Sequence, residues 1–241
     1  MTAETFTPEE QRGRAIRTRK MLTWFIIFAI VMFFAGLTSA FVVSMSGGYW
    51  VRVDMPQAFH FSTGAIVLSS LFAQWSLSSA RNGKRSLIGP LLVVSLLLGI
   101  VFTWSQFRGW SQLVERGQYV VGKVTEIKGE YGTDYTITRN DETLVLENGK
   151  FYMPSDERRI KPLNADLEEY KNTASSYIYA LTAAHLFHVA FGLLSLVVMI
   201  IMAFLGRYHQ DMHVGLWSGV IYWHFLGALW IYLLLFLTFV H

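Results

Sequence analysis

The sequence predicts an all-α integral membrane protein: five transmembrane helices in a bundle, with a small β-hairpin-containing extracytoplasmic insertion between helices 3 and 4. Three observations predict it. The 241 residues are 53% hydrophobic and 15% aromatic against only 15% charged, too apolar for an ordinary soluble domain of this length. Five apolar stretches, at about 21–45, 58–80, 87–108, 174–206 and 214–240, each reach the roughly 20 helical residues that cross about 30 Å of hydrocarbon. None of the five contains Asp or Glu, as the cost of a charge at the bilayer midplane requires.

The first span follows a basic segment, Arg12, Arg14, Arg17, Arg19 and Lys20, which reads as a topology signal. A nucleic-acid patch is excluded because no basic cluster recurs with interleaved aromatics. The span runs well past the 7 to 15 residues of a signal-peptide core and ends in Ser44-Met45-Ser46-Gly47-Gly48 without a clear small-x-small cleavage site, so it is expected to be a retained helix. Gly36 and Ala40, four apart, form a small-residue pair suited to helix packing. The second span is unusually polar, with Ser62, Ser69, Ser70, Gln74, Ser76, Ser78 and Ser79, and is expected to be interior or subunit-facing. The third closes the first group of helices, residues 21–108.

Residues 109–173 form the only polar stretch of appreciable size, with acids that include Glu126, Asp134, Asp141, Asp156 and Asp166. Tyr119-Val120-Val121, Tyr135–Thr138 and Thr143–Leu146 have strand composition, and Glu147-Asn148-Gly149-Lys150 carries the Asn-Gly hairpin signal. Asn164 to Lys171 reads as an acidic helix start leading into the fourth span. The last two spans occupy residues 174–241. With a cytoplasmic N-terminus, nine basic residues fall inside (the five above, Arg81, Lys84, Arg85 and Arg207), against Arg52 alone in the short outer loop. The tail 1–20 is then cytoplasmic, and the insertion and C-terminus are extracytoplasmic.

On the fourth span His185, His188, Gly192, Ser195 and Met199 follow at steps of three and four, which aligns them on one stripe. On the fifth, Gly215, Gly219, Trp223 and Gly227 recur at steps of four. Such stripes face neighbouring helices, where small residues admit close approach and polar groups find partners. His188 and His224 lie within about 10 Å of depth of each other at 1.5 Å per residue, so two facing histidines could grip a haem. Against this, no second histidine pair matches His185 and His188, and a hydrogen-bonded core histidine satisfies the same pattern. A small-solute permease is the other alternative, disfavoured by the lack of carboxylate or lysine within the spans. The chain has no cysteine, which removes disulfides, thiolate metal sites and covalent haem attachment.

The order of Val31-Met32-Phe33-Phe34-Ala35-Gly36, Leu96-Leu97-Leu98-Gly99 with Gln106, His185-Leu186-Phe187-His188-Val189 with Gly192, His213-Val214-Gly215-Leu216, and Tyr222-Trp223-His224-Phe225 with Trp230 resembles subunit III of haem-copper (cytochrome c) oxidases. The resemblance covers all five spans but not the insertion. Many family members have seven helices, and this chain looks like a five-helix form. The resemblance implies a non-catalytic accessory subunit of a proton-pumping cytochrome c oxidase in a bacterial cytoplasmic membrane. Such a subunit holds no metal or redox centre, binds phospholipid, and supports the catalytic subunit I and proton uptake. Haem and copper reside in the partner subunits, and membership of a larger respiratory supercomplex stays open. His185, His188, Arg207, Trp223 and His224 are the candidate lipid-binding or interhelical contacts. Gly36, Ala40, Gly192, Gly215, Gly219 and Gly227 are the candidate packing positions. The chain departs from the family where Ile30, Gly109 and Trp217 stand at common glutamate positions and Gly227 at an aspartate position.

Overall fold

The computed structural model describes residues 7–46, 48–140, 142–208 and 213–240. The first six residues of the basic tail, Asp141 of the insertion and Gly47 of the helix end therefore lie outside the described residues. Six α-helices and five strands follow in the order α1 (Pro8–Met45), β1 (Tyr49–Val53), α2 (Gln57–Arg81), α3 (Arg85–Glu115), β2 (Tyr135–Arg139), β3 (Glu142–Thr143), β4 (Val145–Glu147), β5 (Lys150–Tyr152), α4 (Asn164–Glu169), α5 (Thr173–Phe204) and α6 (Val214–Phe239), with a 3-10 turn at Val124–Glu126. All five apolar stretches are helical. Four of these helices, α1, α3, α5 and α6, are long and apolar enough to cross a membrane, the composition of a multi-pass membrane protein. Helix α2 has the length, 25 residues, but its serines and Gln74 leave it less apolar than the others.

Helix α1 begins 13 residues before the first apolar stretch. Thr7 caps it: the Glu10 amide donates to Thr7 Oγ1 at 3.3 Å and the Thr7 amide donates to Glu10 Oε2 at 2.9 Å, a reciprocal capping box with Pro8 opening the helix. At 1.5 Å per residue its 38 residues extend about 57 Å, nearly twice a hydrocarbon core.

The described residues fall into two compact units, each built from segments of the same long helices. The first takes the chain up to Phe33, Gly64–Phe102 and Phe187–Leu229, and its core holds Ile66, Leu77, Ile88, Leu92, Phe102 and Trp223. The second takes Phe34–Thr63, Thr103–Leu186 and the chain from Trp230, with Phe34, Phe59, Leu113, Ile137, Leu167 and Trp230 at its centre.

In the second unit the insertion makes two small sheets. Strand β4 pairs with β5 through Asn148 and Gly149, whose φ values of 52° and 74° are those of a two-residue type I′ turn, the conformation Asn-Gly favours. The other sheet has the order β1-β2-β3. Its β1 comes from the loop between α1 and α2, and Tyr49 to Val53 pair antiparallel with Arg139 to Tyr135. Tyr119-Val120-Val121, of strand composition, is not a strand. The main-chain carbonyls of Tyr119 and Val120 accept from Ser175 and Ser176 hydroxyls at 2.8 and 2.6 Å, so the segment is spent fastening the insertion to the start of α5. The same seam carries the Asn172 side-chain amide donating to Gln118 Oε1 at 2.6 Å and the Tyr179 hydroxyl donating to the Gln118 carbonyl at 2.9 Å. The acidic helix α4 ends at Glu169 and is separate from α5.

Arg159 ties the loop after β5 to the hairpin. It bonds Glu147 at 2.9 Å and the Asp156 carbonyl at 2.9 Å, and it lies over the Tyr152 ring. The amide of Lys161 donates to Asp156 Oδ2 at 2.9 Å, and this bond, with the Ile160 amide and the Arg159 charge, holds the Asp156 carboxyl below its ordinary range. A carboxyl depressed on folding contributes stability above its unfolded pKa and loses it as pH falls through the lower folded value. The protection of the amides in residues 153–163, taken relative to intrinsic exchange at each pH, is therefore expected to weaken as the pH drops below about 4. Asp156→Asn is expected to show the faster exchange already at neutral pH. Identical exchange profiles for the two proteins would refute this role for the carboxylate.

Candidate functional site

The five histidine, tryptophan and arginine candidates occupy three different settings. In the first unit, Trp223 is fully buried, and its indole N–H donates to Ser69 Oγ at 2.9 Å. Ser69 lies on α2 and is itself paired with Ser95 of α3: the two hydroxyls are 2.9 Å apart, and each lies within hydrogen-bond reach of the other's main-chain carbonyl, at 2.7 and 2.9 Å. Two glycines make room for the indole. A Cβ on Gly99 of α3 would stand 2.9 Å from Cη2 and Cζ2, and one on Gly192 of α5 would stand 2.9 Å from Cε3 and Cζ3. One tryptophan of α6 thereby contacts α2, α3 and α5 through a hydrogen bond and two close backbone approaches. In lipid, where apolar surface gives helices no reason to associate, such packing and interhelical bonding are what hold them together.

His224, next in sequence, turns toward α2. Its Nε2 lies 3.0 Å from Gln74 Oε1 and its Nδ1 3.0 Å from Ser70 Oγ. With a carboxamide oxygen as acceptor, the ring proton sits on Nε2 and the Ser70 hydroxyl donates to Nδ1, so both ring nitrogens are engaged. His188 is half-buried between Phe33 and Phe187, with ring centroids 6.2 and 5.9 Å away, and its main-chain carbonyl accepts the Tyr222 hydroxyl at 3.2 Å. The polarity of α2 is thus turned to protein: beyond Ser69 and Ser70, Ser76 donates to the Ile88 carbonyl of α3 at 3.1 Å.

In the second unit, His185 is buried against Trp230, ring centroids 5.5 Å apart and 31° inclined. The Trp230 indole N–H donates to Thr63 of α2 at 3.0 Å, and Gln106 of α3 donates to Ser62 at 2.9 Å, so α2 again receives bonds from both neighbours.

The packing candidates divide. A Cβ on Gly219 would meet the Met199 sulfur and lie 3.1 Å from Ser195 Oγ, and one on Gly227 would lie 3.5 Å from Ile66 and Ser70. Gly192 serves Trp223. Gly215, with only the Tyr208 ring near at 3.9 Å, is exposed, and Gly36 and Ala40 are exposed with nothing within 4 Å of a Cβ at Gly36. Spacing had placed these residues on common stripes, which says that they share a face but not what the face meets. Gly99 and Gly109, outside the glycine stripes of α1, α5 and α6, also make close approaches.

Gly109 is buried, and the Phe59 ring occupies the space a side chain there would need. Trp217 lies beneath the Lys20 ammonium, 5.2 Å from the ring centroid, a cation–π contact. Ile30 and Gly227 are buried.

Arg207 opens on a cavity of about 510 Å³ in the first unit, which it lines with Arg12 and Arg19 of α1, Met202 of α5 and Tyr208. Three guanidinium groups around one cavity, with no carboxylate among its described lining residues, suit a phosphate or phosphodiester, which planar N–H forks bind bidentately. Among the described residues no group of three or more His, Asp or Glu could hold a metal ion.

No protein-family model matches the chain. Over 219 residues it is 25% identical to a curated relative, cytochrome c oxidase subunit 3 of Arabidopsis thaliana, an alignment that takes in 87% of this chain and 63% of that protein. The chain thus spans less than two thirds of the relative's length. This distant likeness, over most of the chain, supports the subunit III family.

Proposed function

We propose that the chain is the non-catalytic third subunit of a proton-pumping cytochrome c oxidase, stabilising the catalytic subunit and sustaining its proton uptake in aerobic respiration. The likeness to an oxidase subunit 3 over most of the chain carries the reading. The Trp223-centred contact of α2, α3, α5 and α6 accords with it, because it uses the Tyr222-Trp223-His224-Phe225 segment for packing. In this reading α2 is the fifth crossing helix, its serines and Gln74 turned to protein. The positive-inside count sets the N-terminus in the cytoplasm of a bacterium and the insertion and C-terminus on the periplasmic side. The Arg12, Arg19 and Arg207 cavity holds a phospholipid headgroup at the cytoplasmic boundary. Haem and copper belong to partner subunits. For this chain, a haem on His224 would have to break the bonds to Ser70 and Gln74.

Purification of the tagged chain in mild detergent, with mass spectrometry of co-eluting polypeptides and a reduced-minus-oxidised spectrum, tests this. An oxidase catalytic subunit and its haem bands are expected in the same fraction. A chain that elutes alone and coloured would replace the reading with a haem protein, and one that elutes alone and colourless would return it to transport.

A further inference from the structure

Within the first unit, Gly64, Val67, Leu68, Leu71, Gln74 and Trp75 fall on one side of α2 at helical spacing, and all are exposed, Leu71 and Trp75 by 61% and 58%. Helix α5 is exposed too, through Phe187, Phe191, Leu194 and Val198, but those side chains are apolar and acyl chains satisfy them. The α2 face differs by Gln74. Its Oε1 accepts the His224 Nε2 proton at 3.0 Å, while its amide N–H groups meet no acceptor among the described residues. From Arg81, which closes α2, back to Gln74 is about 10 Å of helix, more than the roughly 5–7 Å of a headgroup layer. With α2 crossing the membrane, these N–H groups lie in hydrocarbon. Neither water nor an acyl chain bonds them there, and polar groups at that depth turn to another helix.

We propose that this face seats a transmembrane helix of a different polypeptide, one that sets a hydrogen-bond acceptor opposite the Gln74 carboxamide. Gly64, where a Cβ would meet nothing within 4 Å, lets that helix approach closely. A lipid would cover Leu71 and Trp75 but leave the carboxamide bare. A second copy of this chain, related by a twofold axis along the membrane normal, would bring its own Gln74 to the same depth. The oxygen it offers already accepts from His224, so a different sequence supplies the acceptor better. The inference rests on the proposed reading in which α2 is the fifth crossing helix, but not on the partner being an oxidase subunit.

Photocrosslinking of the full chain in its native membrane, with Leu68→benzoylphenylalanine as the probe, tests it. The expected adduct is a transmembrane segment of another polypeptide with an acceptor side chain or main-chain oxygen at the contact. Gln74→Leu is expected to weaken the association, and with it the yield, about three- to tenfold, the scale of one interhelical hydrogen bond. Val67→Ala with Leu71→Ala trims exposed side chains and keeps Gln74 on His224. It is expected to lower the yield while leaving the thermal midpoint of the purified chain unchanged, so the test survives if Gln74→Leu disturbs the α2–α6 contact. Adducts with lipid alone, or a yield unchanged in both variants, would overturn the proposal. Adducts with a second copy alone would overturn the choice of a different polypeptide. The chain has no cysteine, so Leu71→Cys is a unique label. Its reaction with a membrane-impermeant maleimide in sealed vesicles would overturn the inference through its premise, by showing that α2 does not cross. A crosslinked partner that is no oxidase subunit would uphold the docking face and overturn the oxidase assignment instead.

Discussion

Trp223→Ala is expected to cost about 3–5 kcal/mol, the range for emptying a buried aromatic position. Three separate supports fail together. The indole leaves a cavity between Gly99 and Gly192, neither of which has a side chain to relax into it. The Ser69 hydroxyl loses its tryptophan donor while its pairing with Ser95 persists. The loss falls where α6 meets α2, α3 and α5 at once, so the damage is not confined to one helix pair. Trp223→Phe keeps most of the ring and gives up only the N–H bond, and an interhelical bond of that kind in a membrane protein is worth about 1 kcal/mol or less. Equilibrium unfolding in mixed micelles, followed by tryptophan fluorescence and helical circular dichroism, reads both. Near-equal stabilities for the alanine and phenylalanine variants would mean that the glycines do not frame the indole as described.

Gly109→Glu, which restores the residue common in the resembling family, is expected to be among the most harmful single changes in the chain. The Phe59 ring fills the space that the new Cβ would need. Overpacking of a close-packed site costs about 1–3 kcal/mol. A carboxyl group there also enters a buried position, a further loss that favours its neutral form. The two changes are coupled by contact, so Phe59→Ala should partly rescue Gly109→Glu, although each alone is destabilising. A double-mutant cycle on thermal midpoints in detergent measures this. Additive losses would show that the glutamate is rejected for its charge rather than its bulk. Rescue beyond the Phe59→Ala stability would mean that ring and carboxylate are alternative fillings of one space.

Features that local pattern encodes were legible in the sequence. The four helices long and apolar enough to cross a membrane follow from apolar length, and the β4–β5 hairpin from Asn148-Gly149, because a two-residue turn is decided by its own two residues. The capping box Thr7-Pro8-Glu9-Glu10 was equally local, but it stands before a polar, basic stretch where apolar periodicity gives no reason to look for a helix. Strand β1 was not legible. Tyr49 to Val53 has strand composition, yet its partner lies in another segment of the chain, and a short interhelical loop with one arginine reads as a turn. For the candidate residues, the division is similar. The serines of α2 announced a helix whose polar groups bond to neighbouring helices, since polar groups in a membrane need partners, but one apolar face, with Phe61, Leu71 and Trp75, is exposed. Gly99 could not be singled out, because the ring that requires it belongs to α6.

The pairing of β1 with β2 also dictates an order of events during biosynthesis. Val53 leaves the ribosome roughly 80 residues before its partner Tyr135, a delay of about 4–16 s at ordinary translation rates. Through that interval β1 is an orphan strand at the end of a freshly inserted helix, with Trp50 and Val51 uncovered, and no neighbour within its own stretch can pair with it. Two further helices must be synthesised before β2 arrives. The hairpin β4–β5 closes on its own in microseconds, whereas the β1–β2 ladder must wait for the synthesis of α2 and α3, which lie between its strands. The join between the early loop and the late insertion thus cannot form until α2 and α3 have both been synthesised.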